Sequence, residues 1–205
     1  MNHADCAPNH HAHHRPFAGI YGFAAALTMV GGREDDARLA IELAALSPAE
    51  TVVDLGSGPG AAVRRAARLG AKAIGVDPAP VMRRVARVLT RSRAVQYVAG
   101  TAEDVPLADA TADVVWSIAT IHHWADVDQG LREVRRVLRG GGRFVGLEAR
   151  STPGATGHGS HGWTSGQAAA FAERVAAAGF VDVQVAEHPG GRHGSGIVSV
   201  TARVP

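Results

Sequence analysis

From residue 51 onward the chain alternates between short apolar runs and longer segments whose apolar residues recur at helical spacing. "TVVDLG" (51–56) predicts a buried strand, "AAVRRAARLG" (61–70) a helix closed by Gly70, and "AKAIGVD" (71–77) a second strand. "PVMRRVARVLT" then supplies a helix and "VQYVAG" a strand, followed by the polar stretch "TAEDVPLADATA" and the apolar run "DVVWSIAT". "VDQGLREVRRVL" predicts an amphipathic helix, "GRFVGLEAR" a strand, "SGQAAAFAERVAAAG" a helix, and "FVDVQVAE" with "GIVSVTARV" a closing strand pair. Strands separated by helices pair in parallel through right-handed crossovers, so the pattern predicts a layered α/β sheet. Such sheets bind ligands beyond the carboxyl ends of their strands, at the topological switch point.

Upstream, "FAGIYGFAAALTMV" has helical periodicity and stops at Gly31 and Gly32, and "EDDARLAIELAAL" opens a further helix with acids in its first turn. Residues 1–16 hold almost no core-forming side chains and read as a flexible arm. The expected organisation is therefore an arm at 1–16 and a single domain at 17–205, with a helical lid at 17–46 and the α/β core at 47–205. His3, His10, His11, His13 and His14 of the arm, with Cys6, are donors suited to zinc, nickel or copper; a plain polar leader is the alternative.

Composition changes this picture little. The 205 residues are 46% hydrophobic and 20% charged, as in an ordinary globular domain, and the formal charge of +2 sets up no large field toward nucleic acid or an anionic membrane. The arginine-rich stretches coincide with helical periodicity, which makes them solvated helix faces rather than a phosphate-binding patch. No apolar run approaches the roughly 20 residues needed to cross a bilayer, and the polar amino terminus lacks the apolar centre of a secretory signal, so a cytoplasmic location is expected. Cys6 is the only cysteine, which excludes an intrachain disulfide. Nothing in the sequence specifies an oligomeric state.

The chemistry is concentrated in "VVDLGSGPG" (52–60). Gly56, Gly58 and Gly60 follow the first strand and open a helix, where missing side chains let a nucleotide approach the backbone. "GSGPGA" also fits a dinucleotide pattern, and Asp77, nineteen residues after Gly58, suits the ribose of either kind of cofactor. Asp54 separates the two. A carboxylate beside the loop repels a pyrophosphate in a partly dehydrated site but attracts the ammonium and sulfonium of S-adenosylmethionine, which carries no phosphate.

"VVDLGSGPG", "IGVDPAP", "GTAEDVPLADATADVVWS" and "IHHWADVDQGLREVRRVLRGGGRF" occur in an order and spacing that resemble the class I S-adenosylmethionine-dependent methyltransferases, above all their small-molecule type 11 branch. The likeness spans roughly residues 35–205. It implies a seven-stranded, mostly parallel sheet with an antiparallel last strand and helices on both faces. It further implies that Asp54 and Gly56 lie against the methionine part of the cofactor, that Ser57 belongs to the same loop, and that Gly58 admits the cofactor. Asp77 would take the ribose hydroxyls and Pro78 would flank the adenine. Ala102 would offer its amide to the adenine ring, with Glu103 close by. Thr101 stands where many relatives have an aspartate, so its acceptor is neutral and weaker. Ser117 and Ile118 would meet the methionine amino group through their carbonyls.

Methyl transfer mainly requires alignment and exclusion of water; a hydroxyl or amine acceptor also benefits from a base, and imidazole titrates near neutrality. His122, just past the fourth strand, is read as a base or substrate contact, and His123 as a loop-holding or substrate residue. Trp124 is read as packing beneath the loop. A second cluster, His158, His161 and Trp163, lies in a glycine-rich loop able to close over a small acceptor, with His161 a second candidate base. For Trp163 the alternative is a staple at a helix start, with Thr164 or Ser165 as cap. Tyr21 and Phe17 are candidates for a lid, with core packing as the equal alternative. The absence of an "NPPY" or "DPPY" run argues against adenine or glutamine-amide methylation by that motif. The expected function is methyl transfer to oxygen, nitrogen or sulfur of a small molecule. The rivals are an RNA methyltransferase and a His-rich metal-binding or partner-docking protein on a cofactor-stabilised domain.

Overall fold

The structure is a computed structural model that describes residues 7–9, 34–191 and 196–205, residue 158 by its backbone alone. Its elements are α1 (Glu34–Leu43), β1 (Thr51–Leu55), α2 (Ala61–Arg68), β2 (Lys72–Val76), α3 (Pro80–Leu89), β3 (Val95–Val98), β4 (Ala112–Ile118), α4 (Val127–Val137), β5 (Leu138–Ala149), α5 (Ser165–Ala177), β6 (Val181–His188) and β7 (Ile197–Arg203). The strands form one seven-stranded sheet in the order β3-β2-β1-β4-β5-β7-β6. β1 to β5 pair in parallel, and β7 runs antiparallel to both neighbours, β5 and β6. The order reverses between β1 and β4, so the ligand crevice expected for such a sheet opens beyond the ends of those two strands.

Alternation along the central strands divides the core between two layers, because successive side chains of a strand point to opposite faces. Val53, Val115 and Phe144 face α4 and α5, where they meet Leu131, Val134, Phe171 and Val175. Val52, Val114, Trp116 and Val145 face the other way, onto Ala37, Ala40, Val63 and Ala66 of α1 and α2. Burying a large apolar side chain fully contributes about 1.5–3 kcal/mol, so the central strands, buried on both faces, dominate the stability of the scaffold. Asp126 caps α4 by accepting from the Gln129 amide, and Thr164 with Gln167 forms a reciprocal capping box at α5.

Several arginines of the helices and of β5 are engaged within the chain. Arg136 pairs with Glu133 and Asp109 and donates to the carbonyls of Val105 and Leu107, tying the 101–111 loop to α4. This bonding holds the Glu133 carboxyl below its ordinary value of 4.5. Arg65, Arg139, Arg143 and Arg174 pair with Glu34, Asp113, Glu50 and Asp128.

Three features differ from the sequence pattern. β5 begins at Leu138, directly after α4, rather than near Gly142, because Leu138 pairs with Ala112 before the register shifts toward Val114. Residues 7–9, expected within a flexible arm, are docked: the Asn9 amide donates to the Trp124 carbonyl (3.0 Å), and the Pro8 carbonyl accepts from the Trp163 indole (2.8 Å). Trp163 itself is fully buried against Phe171, with ring centroids 4.8 Å apart, so it belongs to the core and not to a substrate surface. No helix among the described residues is long and apolar enough to cross a membrane. The helix expected at 17–30, with Phe17 and Tyr21, lies outside the described residues, as do Cys6, His3, His10, His11, His13 and His14.

Candidate active site

The site is assembled from the carboxyl ends of β1, β2, β4 and β5. β1 runs through Asp54, buried at 4% exposure, into the glycine loop. Gly56 adopts φ +75°, and a Cβ there would lie 2.6 Å from the Thr120 side chain, so both the turn and the close approach demand glycine. Gly58, at φ +52°, differs: among the described residues a Cβ there would meet nothing within 4 Å.

The loop amides point inward. The N–H groups of Gly56 and Ser57 both donate to the Val76 carbonyl at the end of β2, at 2.8 and 3.1 Å, and the Gly60 N–H donates to the Ser57 carbonyl. The Gly58 N–H donates to Asp77 Oδ2 and the Ala79 N–H to Asp77 Oδ1, each at 2.8 Å. A phosphate cradle needs such amides free to point at the ligand; here the protein consumes them. Asp77 retains acceptor capacity, since an ionised carboxylate has about four lone-pair sites. Burial raises its pKa from the ordinary 3.8; the amides of Ala79 and Gly58, and the charge of Arg83, pull the other way. The buried Ser57 hydroxyl has no hydrogen-bond partner among the described residues, and it too lies in this loop.

β4 delivers the opposite wall. The Thr120 hydroxyl donates to the Leu55 carbonyl (3.0 Å) and lies 2.6 Å from the Ser117 hydroxyl, pinning the end of β4 to that of β1. Ala119, at φ +52°, takes the chain through a left-handed residue into a short 3-10 turn, Ile121–His123. Such a conformation is disfavoured for residues bearing a Cβ and persists where the surroundings hold it; here the Ala119 N–H donates to Leu147 of β5 at 2.6 Å.

That turn sets His122 against Glu148, the next-to-last residue of β5. His122 Nδ1 lies 2.7 Å from Glu148 Oε2, and the His122 backbone N–H donates to Oε1 at 3.2 Å. Both side chains are buried, at 3% and 0% exposure. With the carboxylate ionised, the proton sits on Nδ1 and Nε2 carries the ring's lone pair. The loop after β5 is strapped back onto that strand, since Ser151 donates to the Trp163 carbonyl and Trp163 to the Ala149 carbonyl, both at 2.8 Å. The His161 ring thereby comes within 5.5 Å of His122 and 5.6 Å of His123, centroid to centroid.

Ala102 is buried near the end of β3, with Thr101 exposed beside it. The Glu103 carboxylate is directed to the turn before α4, accepting from the amides of Ala125 (2.7 Å) and Asp126 (3.3 Å). It thereby holds the turn that precedes α4. Pro78, Ser117 and Ile118 close the ends of β2 and β4 as their positions in the sequence imply. The side chain of His158 is outside the described set.

Two site residues escape the sequence pattern. Glu148 carries the same signal as Asp54, an acid inside an otherwise apolar strand, but no glycine loop follows to mark it. Thr120 is an unremarkable residue whose role depends wholly on its fit beneath Gly56.

Comparison with known proteins agrees with this geometry. A family described as "Methyltransferase domain" matches residues 53–146, from within β1 into β5. An uncharacterised methyltransferase of Mycobacterium tuberculosis is 42% identical over 98 residues, covering 47% of this chain and 38% of the relative. A ubiquinone/menaquinone biosynthesis C-methyltransferase of Rubrivivax gelatinosus is 35% identical over 113 residues, covering 55% of this chain and 44% of the relative. The matches thus span less than half the length of either relative. The crystal structure of a SAM-dependent methyltransferase from Aquifex aeolicus shares the fold, with a TM-score of 0.73, 15% identity and coverage of 89% of this chain and 98% of that one.

Proposed function

Because the chain belongs to the class I S-adenosylmethionine-dependent methyltransferases, type 11 branch, we propose that it methylates a small molecule at oxygen, nitrogen or sulfur. The observation that carries the cofactor reading is the glycine loop, whose inward-turned amides at Gly56, Ser57 and Gly58 leave no phosphate cradle while two carboxylates flank it. The residues fit a phosphate-free, cationic nucleoside. Among the described residues nothing crowds the open face of Gly58 and the buried Ser57 hydroxyl has no partner, while Asp77 keeps acceptor sites for paired hydroxyls. When bound, S-adenosylmethionine supplies a methyl group made electrophilic by its sulfonium.

The chain's own residues do the rest. Asp54 would offer negative charge to the methionine end, Asp77 would orient the ribose and Ala102 would border the adenine. Glu148 holds the imidazole of His122 in one tautomer and orientation, and His122 Nε2 takes the proton from the acceptor's O–H or N–H as that atom becomes the nucleophile. A thiolate acceptor would need no such step. The formal charge of only +2 sets up no large field toward a nucleic-acid backbone, which supports a small acceptor over RNA.

Screening a panel of hydroxylated, amino and thiol metabolites for release of S-adenosylhomocysteine is the test. Turnover with at least one small acceptor is expected. Release with RNA alone, with binding that falls steeply as salt rises, would overturn the substrate class.

A further inference from the structure

We infer that His122, His123 and His161 form a binding site for a zinc-class divalent cation, distinct from the arm histidines. One ligating nitrogen from each of the three residues lies within 4.8 Å of the other two. The rings of His122 and His123 stand 4.1 Å apart centroid to centroid, and His161 closes the triangle at 5.5 and 5.6 Å. A single cation placed among them can take one nitrogen from each ring at once.

Construction from separate elements argues against chance proximity. His122 and His123 sit on the 3-10 turn after β4, between the buried Ile121 and Trp124. His161 stands two residues before the buried Trp163, whose backbone is bonded to Ala149 and Ser151. Behind His122 lies Glu148, at 2.7 Å from Nδ1. A carboxylate on the far nitrogen of a ligating histidine fixes the tautomer and raises the basicity of the nitrogen that faces the metal. Tetrahedral zinc with bonds of about 2.0–2.1 Å needs nitrogens roughly 3.4 Å apart, so the three would draw together from their present spacing, with His123 and His161 moving and His122 held. An all-imidazole set suits zinc, nickel or copper and not magnesium or calcium. Three protein ligands leave one tetrahedral position for water or another small ligand. A cation there occupies the Nε2 lone pair, so zinc binding and proton acceptance by His122 exclude each other at any moment.

The experiment titrates zinc into the full chain against a chromophoric chelator, using a version in which His3, His10, His11, His13 and His14 are serine. That variant should hold one equivalent of zinc. Adding His161→Ala or His123→Ala should weaken binding at least tenfold with the circular dichroism spectrum unchanged, and Glu148→Gln should weaken it by roughly 10- to 100-fold. Cobalt in place of zinc should give the intense visible bands of a tetrahedral site, lost in His161→Ala. If the arm-replaced chain binds no zinc, or binds it as tightly after His161→Ala, the site does not exist.

Discussion

Replacing His122 by alanine should lower turnover by roughly 10² to 10⁴, the contribution of a positioned general base, while the dissociation constant for S-adenosylmethionine stays within about twofold. The separation follows from the architecture: the two cofactor carboxylates, Asp54 and Asp77, belong to the ends of β1 and β2, whereas His122 is held from β4 and β5. The substitution also removes the ring's hydrogen bond to the buried Glu148 carboxylate, at a cost of about 1–3 kcal/mol in stability. Cofactor binding therefore doubles as the check that the variant is folded. Glu148→Gln gives the companion measurement, because it keeps the imidazole but removes the charge that holds its proton on Nδ1; turnover should fall there too, with cofactor affinity unchanged. Normal turnover in both variants, with an acceptor that must lose a proton, would leave alignment alone as the source of catalysis.

Asp77→Ala should weaken cofactor binding at least roughly tenfold, since hydrogen bonds to a charged group contribute about 1.5–3 kcal/mol and each 1.4 kcal/mol is a factor of ten. The pH dependence has a definite sign. Burial raises the Asp77 pKa above its ordinary 3.8, so on acidification the carboxylate begins to protonate earlier than an exposed aspartate and loses acceptor sites for the ribose. Affinity should decline as pH falls through that window, and the decline should vanish in Asp77→Ala. For the cofactor-free protein the sign is reversed. The folded state binds this proton more tightly than the unfolded chain, so the residue's contribution to stability rises as pH falls from the raised value toward 3.8. Calorimetric titration across pH, with thermal melts of the free protein alongside, measures both.

The sheet was legible because its strands are short, apolar and separated by amphipathic helices, and each central strand has one partition of side chains that buries both faces. Asp54 and Asp77 stood out for the same reason: an acid at the end of such a strand is costly unless something uses it. Glu148 obeys that rule equally, yet it gains meaning only from His122, 26 residues away in sequence and joined to it by β4–β5 pairing. The fit of Thr120 beneath Gly56 is likewise a product of tertiary packing. Trp163 had two readings, a substrate contact or a staple, and a periodicity argument cannot choose between them; its burial against Phe171 does. The docking of residues 7–9 had no signal, because it rests on single hydrogen bonds from Asn9, Trp163 and Gln167 rather than on apolar pattern.

The central claim is that the loop after β1 receives a cationic, phosphate-free nucleoside. Isothermal titration of the full chain with S-adenosylmethionine, S-adenosylhomocysteine, NAD and FAD under one set of conditions tests it most directly. Saturable binding of the first two, with no comparable heat from either dinucleotide, is the predicted result; tighter binding of NAD or FAD would contradict it.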